Sequence, residues 1–465
     1  MLSKEVIGPQ TLSPVVTQSQ ARQIAKEFGT PTYVYSQEVL EQQATKALAF
    51  PNDFGLTVRY AMKANPNKTI LKIFNNKGIY IDASSGYEVE RARAAGIPGE
   101  RVLLTSQQSP HNLRDLLKED IEYNACSFLQ LRSYGKLSPS SNVSVRINPG
   151  AGSGHNNRTN TGGPSSSFGI WHEDLSVVFN ILNRYDLDVQ RIHTHIGSGS
   201  NPEVWQEVAK KSLDIFERFW KAGFHPKILN LGGGYKVGRM GGEESTDLQK
   251  CGKPVKRLFG QIAARIPTKP RLEIEPGTYL VANAGCLIAG VNDLKSTPNY
   301  RFIITDTGMT EVTRPALYGA QHPISVVPTK RTNPEFANFI VSGHCCESGD
   351  ILTPAKDDPE ALQERKLLSP EVGDLIVVGG TGAYCSSMST ANYNSFPRAA
   401  EVLLDNNLRT HLIRKRESLE NITNNELEFQ KNNSYLTDGF TITMWVKFVD
   451  KQSSGTLFNF GNPNE

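Results

Sequence analysis

The sequence predicts an α/β protein, a (β/α)8 TIM barrel joined to a mostly β domain. Three observations carry this. Eight short β-type runs alternate with amphipathic stretches between residues 56 and 275, which suits the ~250 residues of a (β/α)8 barrel. After residue 280, strand-like segments follow one another without long helices between them. The length of 465 residues is about three times a typical ~150-residue domain, which leaves room for two domains and a third piece.

The eight runs are LTVRYAM (56–62), IYID (79–82), RVLLT (101–105), IEYN (121–124), VSVRIN (143–148), VQRIHTH (189–195), KILNLG (227–232) and RLEIE (271–275). Between them lie helical segments such as GYEVERARAAG (86–96) and VWQEVAKKSLDIFERFWKAG (204–223), the second ending at Gly223 as a C-cap. An open doubly wound sheet is the structural rival, and periodicity alone does not separate the two. Further on, YLVANAGCLIAGVNDL, NYRFIITDTG, HPISVVP, ANFIVSGHCCES and DLIVVGGTGAY read as strands. The first 35 residues, with VYS at 34–36, can join either part. The Gly-, Ser- and Asn-rich stretch from Pro149 to Ser167 is a lid or an insertion.

Composition narrows the class. Apolar residues make up 38% and charged residues 21%, which excludes a wholly disordered, collagenous or disulfide-scaffold protein. A net charge of +3 points to no nucleic-acid or membrane-surface partner. No apolar run approaches the ~18 residues of a membrane span. Met1 to Gln10 holds a lone Lys and no apolar core, unlike a signal peptide. Six Cys without CxxC or paired spacing suggest free thiols in a reducing compartment, by default the cytoplasm. No metal is implied.

A barrel places its active site at the C-terminal ends of its strands. There the sequence puts Lys63, Asp82, His193, His195, Ser198, Gly232, Gly233, Gly234, Glu275 and Gly277. Glycines after the seventh strand let backbone N–H groups approach a phosphate, though a tight turn explains them as well. Lys63 closes an apolar strand, where a buried amine is costly, so it reads as a Schiff-base lysine or as a snorkelling one. His195 by itself reads more readily as a satisfied core histidine. A Lys, an anion cradle and a carboxylate together suggest pyridoxal 5'-phosphate, with Glu275 as the partner of the pyridinium nitrogen.

Eight motifs then carry a resemblance: YAMKAN (60–65), IDASSGYE (81–88), HTHIGSGS (193–200), NLGGG (230–234), EIEPG (273–277), RPALYGAQH (314–322), CCESGD (345–350) and GAYCSSMSTANYN (382–394). From about residue 20 to about 420 the chain resembles the fold-type III pyridoxal-phosphate decarboxylases, the branch acting on diaminopimelate most of all. The resemblance implies a carboxy-lyase with a barrel at 36–280 and a discontinuous β domain at 1–35 and 281–420. It implies that Lys63 binds the cofactor covalently and that Asp82 lies near it. His195 stacks on the pyridoxal ring, and Ser198 lies close to the phosphate. Gly232, Gly233, Gly234 and Gly277 hold the phosphate, Glu275 meets the ring nitrogen, and Tyr384 reaches the phosphate and the substrate. Arg314 and Tyr318 hold the substrate's distal carboxylate. Cys346, as catalytic proton donor, and Glu347, which meets the distal amine, enter from the other subunit of a homodimer. Cys345 beside them is structural, and Cys126 and Cys286 are buried thiols.

The implied reaction is decarboxylation of meso-2,6-diaminopimelate to L-lysine. The alternative is another basic amino acid, of ornithine, lysine, arginine or carboxynorspermidine type. A catalytically inactive regulator would be expected to lose Lys63 or Cys346, and both are present. The chain departs from the family at two points. Thr278 stands in EPGT where the family carries an Arg that helps bind the distal carboxylate, a contact worth ~1.5–3 kcal/mol. Phe396 stands where many relatives carry Arg. Beyond about residue 420 the resemblance fades. Residues 421–465 alternate as in FTITMWVKF and resemble the opening strands of a laminin-G or concanavalin-like sandwich. About three strands cannot close such a fold, so the segment is a truncated lectin-like extension, a chance similarity or a disordered tail.

Overall fold

The computed structural model describes residues 6–10, 13, 15–151, 162–195, 197, 202–330 and 335–427. The chain forms two units, 1–422 and 423–465; of the second, residues 423–427 are described. The first unit holds two large sheets. After β1 (Thr32–Ser36), one sheet is built from β2 (Leu56–Ala61), β3 (Tyr80–Ala83), β4 (Val102–Thr105), β5 (Glu122–Ala125), β6 (Asn142–Asn148), β7 (Ile170–Trp171), β8 (Asp188–His193), β9 (Ile228–Asn230) and β10 (Arg271–Ile274). All its pairings are parallel, and β5 pairs with β6 at Asn124↔Ser144 and Ala125↔Val145. That pairing closes a ring of eight strands. The two-residue β7 pairs only with β6, outside the ring. The sheet is thus a closed barrel, not the open rival.

The turns leading from strand to helix share a local device. A short polar residue accepts an N–H of the first helical turn: Ser36 from Val39, Asn67 from Thr69, Ser85 from Glu88, Ser127 from Gln130. The longest helix among the described residues, Pro202–Lys221, buries Trp205, Val208, Ala209, Phe216 and Phe219, and the chain leaves it through Gly223 at φ +89°.

The barrel interior is unusually polar. Arg59, Arg191 and Glu273 are 1% exposed each. Glu273 receives Arg59 at 3.2 Å and Arg191 at 2.6 Å, and both arginines also reach Glu122. Buried charges persist only when paired in this way. This ion layer lies one step below the mouth, because Glu273 and Glu275 are two residues apart on one inward-facing row.

The other large sheet contains β1 together with β11 (Gly285–Ser296), β12 (Arg301–Thr305), β13 (Ile324–Val327), β14 (Phe336–Ser342), β17 (Arg365–Leu368), β18 (Leu375–Gly379), β19 (Ala400–Leu404) and β20 (Thr410–Arg414). A hairpin of β15 (Pro354–Ala355) and β16 (Asp358–Leu362) stands beside it. β1 runs antiparallel to β11 and parallel to β19, so the VYS segment belongs to this sheet. Its alternate residues serve two cores. Val34 packs with Ile288, Val377 and the helix residues Ala21 and Ile24, whereas Tyr33 and Tyr35 join the core that continues into the barrel.

One expectation is corrected. YLVANAG, read as strand, forms a helical turn at Thr278–Val281 and a 3-10 turn at Ala282–Ala284, with strand beginning at Gly285. Tyr279, Leu280, Val281 and Ala282 are all buried, so the apolar run has no periodicity to read. The β-rich extension expected from 421 lies outside the described residues beyond 427; before it, Leu419–Thr423 forms a short helix. Among the described residues no helix is long and apolar enough to cross a membrane.

Candidate active site

A cavity of about 460 Å³ opens at the C-terminal ends of the barrel strands. Barrel residues Lys63, Asp82, Arg146, His193, His195, Gly233, Gly234, Glu275 and Gly277 line it, the second sheet's loops add Arg314, Tyr318, Gln321 and Tyr384, and the β15–β16 turn adds Lys356.

Lys63 lies in a 3-10 turn, Met62–Ala64, directly after β2. The flanking residues Met62 and Ala64 are buried, which fixes the turn and leaves the Lys63 side chain exposed on the wall. The loop at 382–387 grips this turn: Tyr384 N–H and Ser387 Oγ each donate to Ala64 O at 2.9 Å, and Asn65 Nδ2 donates to Gly382 O at 3.2 Å. Tyr384 has φ +55°, a left-handed conformation that non-glycine residues seldom adopt.

Glu275 is 4% exposed, yet it is held in its charged form. Burial raises its affinity for a proton, but His193 and the Asn230 amide outweigh this and keep the carboxyl well below the usual range. Asn230 Nδ2 donates to Glu275 Oε1 at 2.6 Å, and His193 Nε2 lies 3.2 Å from Oε2. Asn124 donates to His193 Nδ1 at 2.6 Å, which leaves Nε2 as the protonated nitrogen of a neutral ring facing the carboxylate. Burial lowers the pKa of His193, in keeping with that neutral form.

His195 is pushed further toward the neutral form by burial and then by the charges of Arg146 and Lys63. Its Nδ1 accepts Gly197 N–H at 2.9 Å. Asp82 is 4% exposed, and its Oδ1 has no partner. Burial first and the Glu275 charge second raise its pKa.

These features fit pyridoxal phosphate. A Cβ on Gly233 would sit 2.4 Å from Glu275 O, so only glycine allows the two loops to approach so closely. An ionised carboxylate, an amine and backbone N–H groups from Gly233, Gly234 and Gly277 share one wall, matching a pyridine nitrogen, an aldehyde and a phosphate.

The remaining expected residues are placed differently. Gly232 is not on the wall. At φ +70°, its missing Cβ makes room for the His195 ring, whose Cδ2 would lie 2.8 Å away. Ser198 and most of the 149–167 loop fall outside the described residues. Cys346 and Glu347 are exposed and do not line the cavity of their own chain; Cys346 N–H donates to Asn394 Oδ1 at 2.8 Å. Sequence reasoning missed Arg146, Asn230 and Arg239. Asn230 was detectable, lying two residues before Gly232 on the inward-facing row. Arg239 gave no signal, because its loop has no periodicity.

The description "pyridoxal-dependent decarboxylase, pyridoxal binding domain" matches residues 37–282. The diaminopimelate decarboxylase of Escherichia coli K12 is 34% identical over 420 residues, covering 89% of this chain and 97% of that protein. A crystal structure of a diaminopimelate decarboxylase superposes with a TM-score of 0.83 at 33% identity, over 91% of this chain and all of the other. That of the Helicobacter pylori diaminopimelate decarboxylase with L-lysine gives 0.78 at 28% identity, over 87% and 98%.

Proposed function

The chain belongs to the pyridoxal-dependent decarboxylases, and on that premise we propose that it converts meso-diaminopimelate to L-lysine and carbon dioxide with pyridoxal phosphate. The observation that carries this is a single cavity holding Lys63, Glu275 and the glycine cradle beside Arg314 and Tyr318.

When bound, pyridoxal phosphate supplies an electron-accepting ring for the pair left on Cα as carbon dioxide departs. Lys63 would carry the cofactor. Gly233, Gly234, Gly277 and Tyr384 would hold its phosphate. Glu275, kept ionised by His193 and Asn230, would hold a proton on the pyridine nitrogen. Neutral His195 adds no positive charge beside it. Breaking the bond from Cα to the carboxylate leaves Cα one proton short, and Cys346 supplies it. Arg314 and Tyr318 would hold the substrate's other carboxylate, and Glu347 its other amine.

Cys346 and Glu347 do this work in a second copy of the chain, so the enzyme acts as a homodimer. Their exposure away from their own cavity supports that arrangement. We place the enzyme in the cytoplasm, where its six unpaired cysteines stay reduced. Carbon dioxide release from meso-diaminopimelate, ornithine, lysine and arginine tests the reading. Faster turnover of any of the last three would overturn the choice of substrate.

A further inference from the structure

Two arginines share the cavity wall, and among the described residues no carboxylate forms an ion pair with either. Arg239 lies in the loop after β9, and Arg314 starts the short helix Arg314–Tyr318; both line the cavity. Arg239 engages a single acceptor through its side chain, donating from Nε to Gly380 O at 3.0 Å. Its Nη2 is sealed from solvent with no partner among the described residues, as is Arg314 Nε. Burial first, and the Arg314 charge next, push the Arg239 guanidinium down to about 9. Glu243, on the same wall, turns Oε2 to its own loop, accepting the backbone N–H groups of Arg239 at 3.0 Å and Met240 at 3.3 Å.

The arginine is nonetheless held in place. Gly380, at φ +66°, has no Cβ, and one placed there would lie 3.0 Å from Arg239 Cδ and Cγ. Asn283 Nδ2 donates to Gly238 O at 2.9 Å and anchors the loop. Two like charges with unmet donors in a sheltered corner are costly unless an anion completes them. Planar guanidinium forks match a carboxylate. Thr278, on the same wall, is short and neutral and cannot serve.

We propose that Arg239 is a specificity residue, gripping with Arg314 the carboxylate at the far end of the substrate. This rests on the reading of the substrate as diaminopimelate. L-Lysine, the product, keeps that carboxylate, and cadaverine lacks it, so calorimetry with the holoenzyme separates the contact from everything else. Arg239→Met is expected to weaken L-lysine binding ~10- to 100-fold, to leave cadaverine within about twofold, and to leave cofactor content unchanged. Arg239→Lys is expected to recover part of the loss, and the meso-diaminopimelate defect should lie in KM more than in kcat.

Equal weakening of L-lysine and cadaverine overturns the proposal. Loss of cofactor from Arg239→Met also overturns it, because the residue would then serve the phosphate. If Arg314→Met alone weakens L-lysine, Arg239 has no such role while the proposed function stands. If the unaltered enzyme neither prefers L-lysine to cadaverine nor decarboxylates diaminopimelate, the substrate reading fails and takes this proposal with it.

Discussion

The main-chain N–H of Tyr384 donates to the carbonyl oxygen of Ala64 at 2.9 Å, which ties the loop after β18 to the turn that carries Lys63. The amine therefore owes its position to two sheets that are distant in sequence. Ser387 adds a second donor to the same oxygen, and Asn65 returns a bond to Gly382. Asn65 is 2% exposed, and its Oδ1 also accepts Asn67 N–H at 3.2 Å. Asn65→Ala should cost ~1–3 kcal/mol, because it strands buried polar groups. It should also speed cofactor loss. Denaturant midpoints and the decay of the cofactor's visible absorbance measure the two effects. Lower stability with unaltered cofactor release would show that the clamp does not position Lys63.

The glycine cradle makes a sharper demand. Alanine at 233 would bring its Cβ to 2.4 Å from the Glu275 carbonyl, so one of the two loops must move. Gly233→Ala should weaken pyridoxal-phosphate binding at least ~10-fold, or ~1.4 kcal/mol, in an equilibrium titration. Ordinary affinity would show that the loops yield without consequence.

Glu311 gives a pH dependence. It is 2% exposed beside Thr307, Thr310, His344 and Asp350. Burial is the largest cause that raises its pKa from 4.5 to about 7. In that window the folded state holds a proton that the unfolded state has released. Stability is therefore lost as pH rises from 4.5 to about 7, and the loss levels off above. A shift of this size amounts to roughly 3 kcal/mol. Glu311→Gln removes the titration, so its denaturant midpoint should gain on that of the unaltered protein between pH 5 and 8. A constant difference across that range would contradict the assignment.

The shared-site dimer can be tested with two inactive variants. Lys63→Ala keeps its Cys346, and Cys346→Ala keeps its Lys63. Mixed after dissociation, half the dimers are heterodimers with one intact site, so about a quarter of full activity should return. No recovery, with heterodimers demonstrated by mass, would place Cys346 outside the partner's site.

How much of this was legible in the sequence depends on how local each signal is. The eight barrel strands and the residues at their ends were readable, because apolar runs, capping residues and glycines act within a few positions. Lys63, Asp82, His195 and Glu275 follow from that, since strand ends in a barrel converge on one mouth. The placement of β1, by contrast, depended on β11 and β19, more than 240 and 360 residues away. The helical turn at Thr278–Val281 was hidden because every residue around it is buried.

The sequence by itself determined the strand and helix rhythm and the strand ends that carry Lys63 and Glu275, because each depends on neighbours along the chain. Only the tertiary structure decided that β5 pairs with β6 to close the barrel. It also decided that Gly232 makes room for His195, that Cys346 and Glu347 face away from their own cavity, and that Arg239 stands beside Arg314 while Glu243 caps its own loop. Those outcomes depend on which distant surfaces meet, and burial and electrostatics act through space, with no regard for separation along the chain.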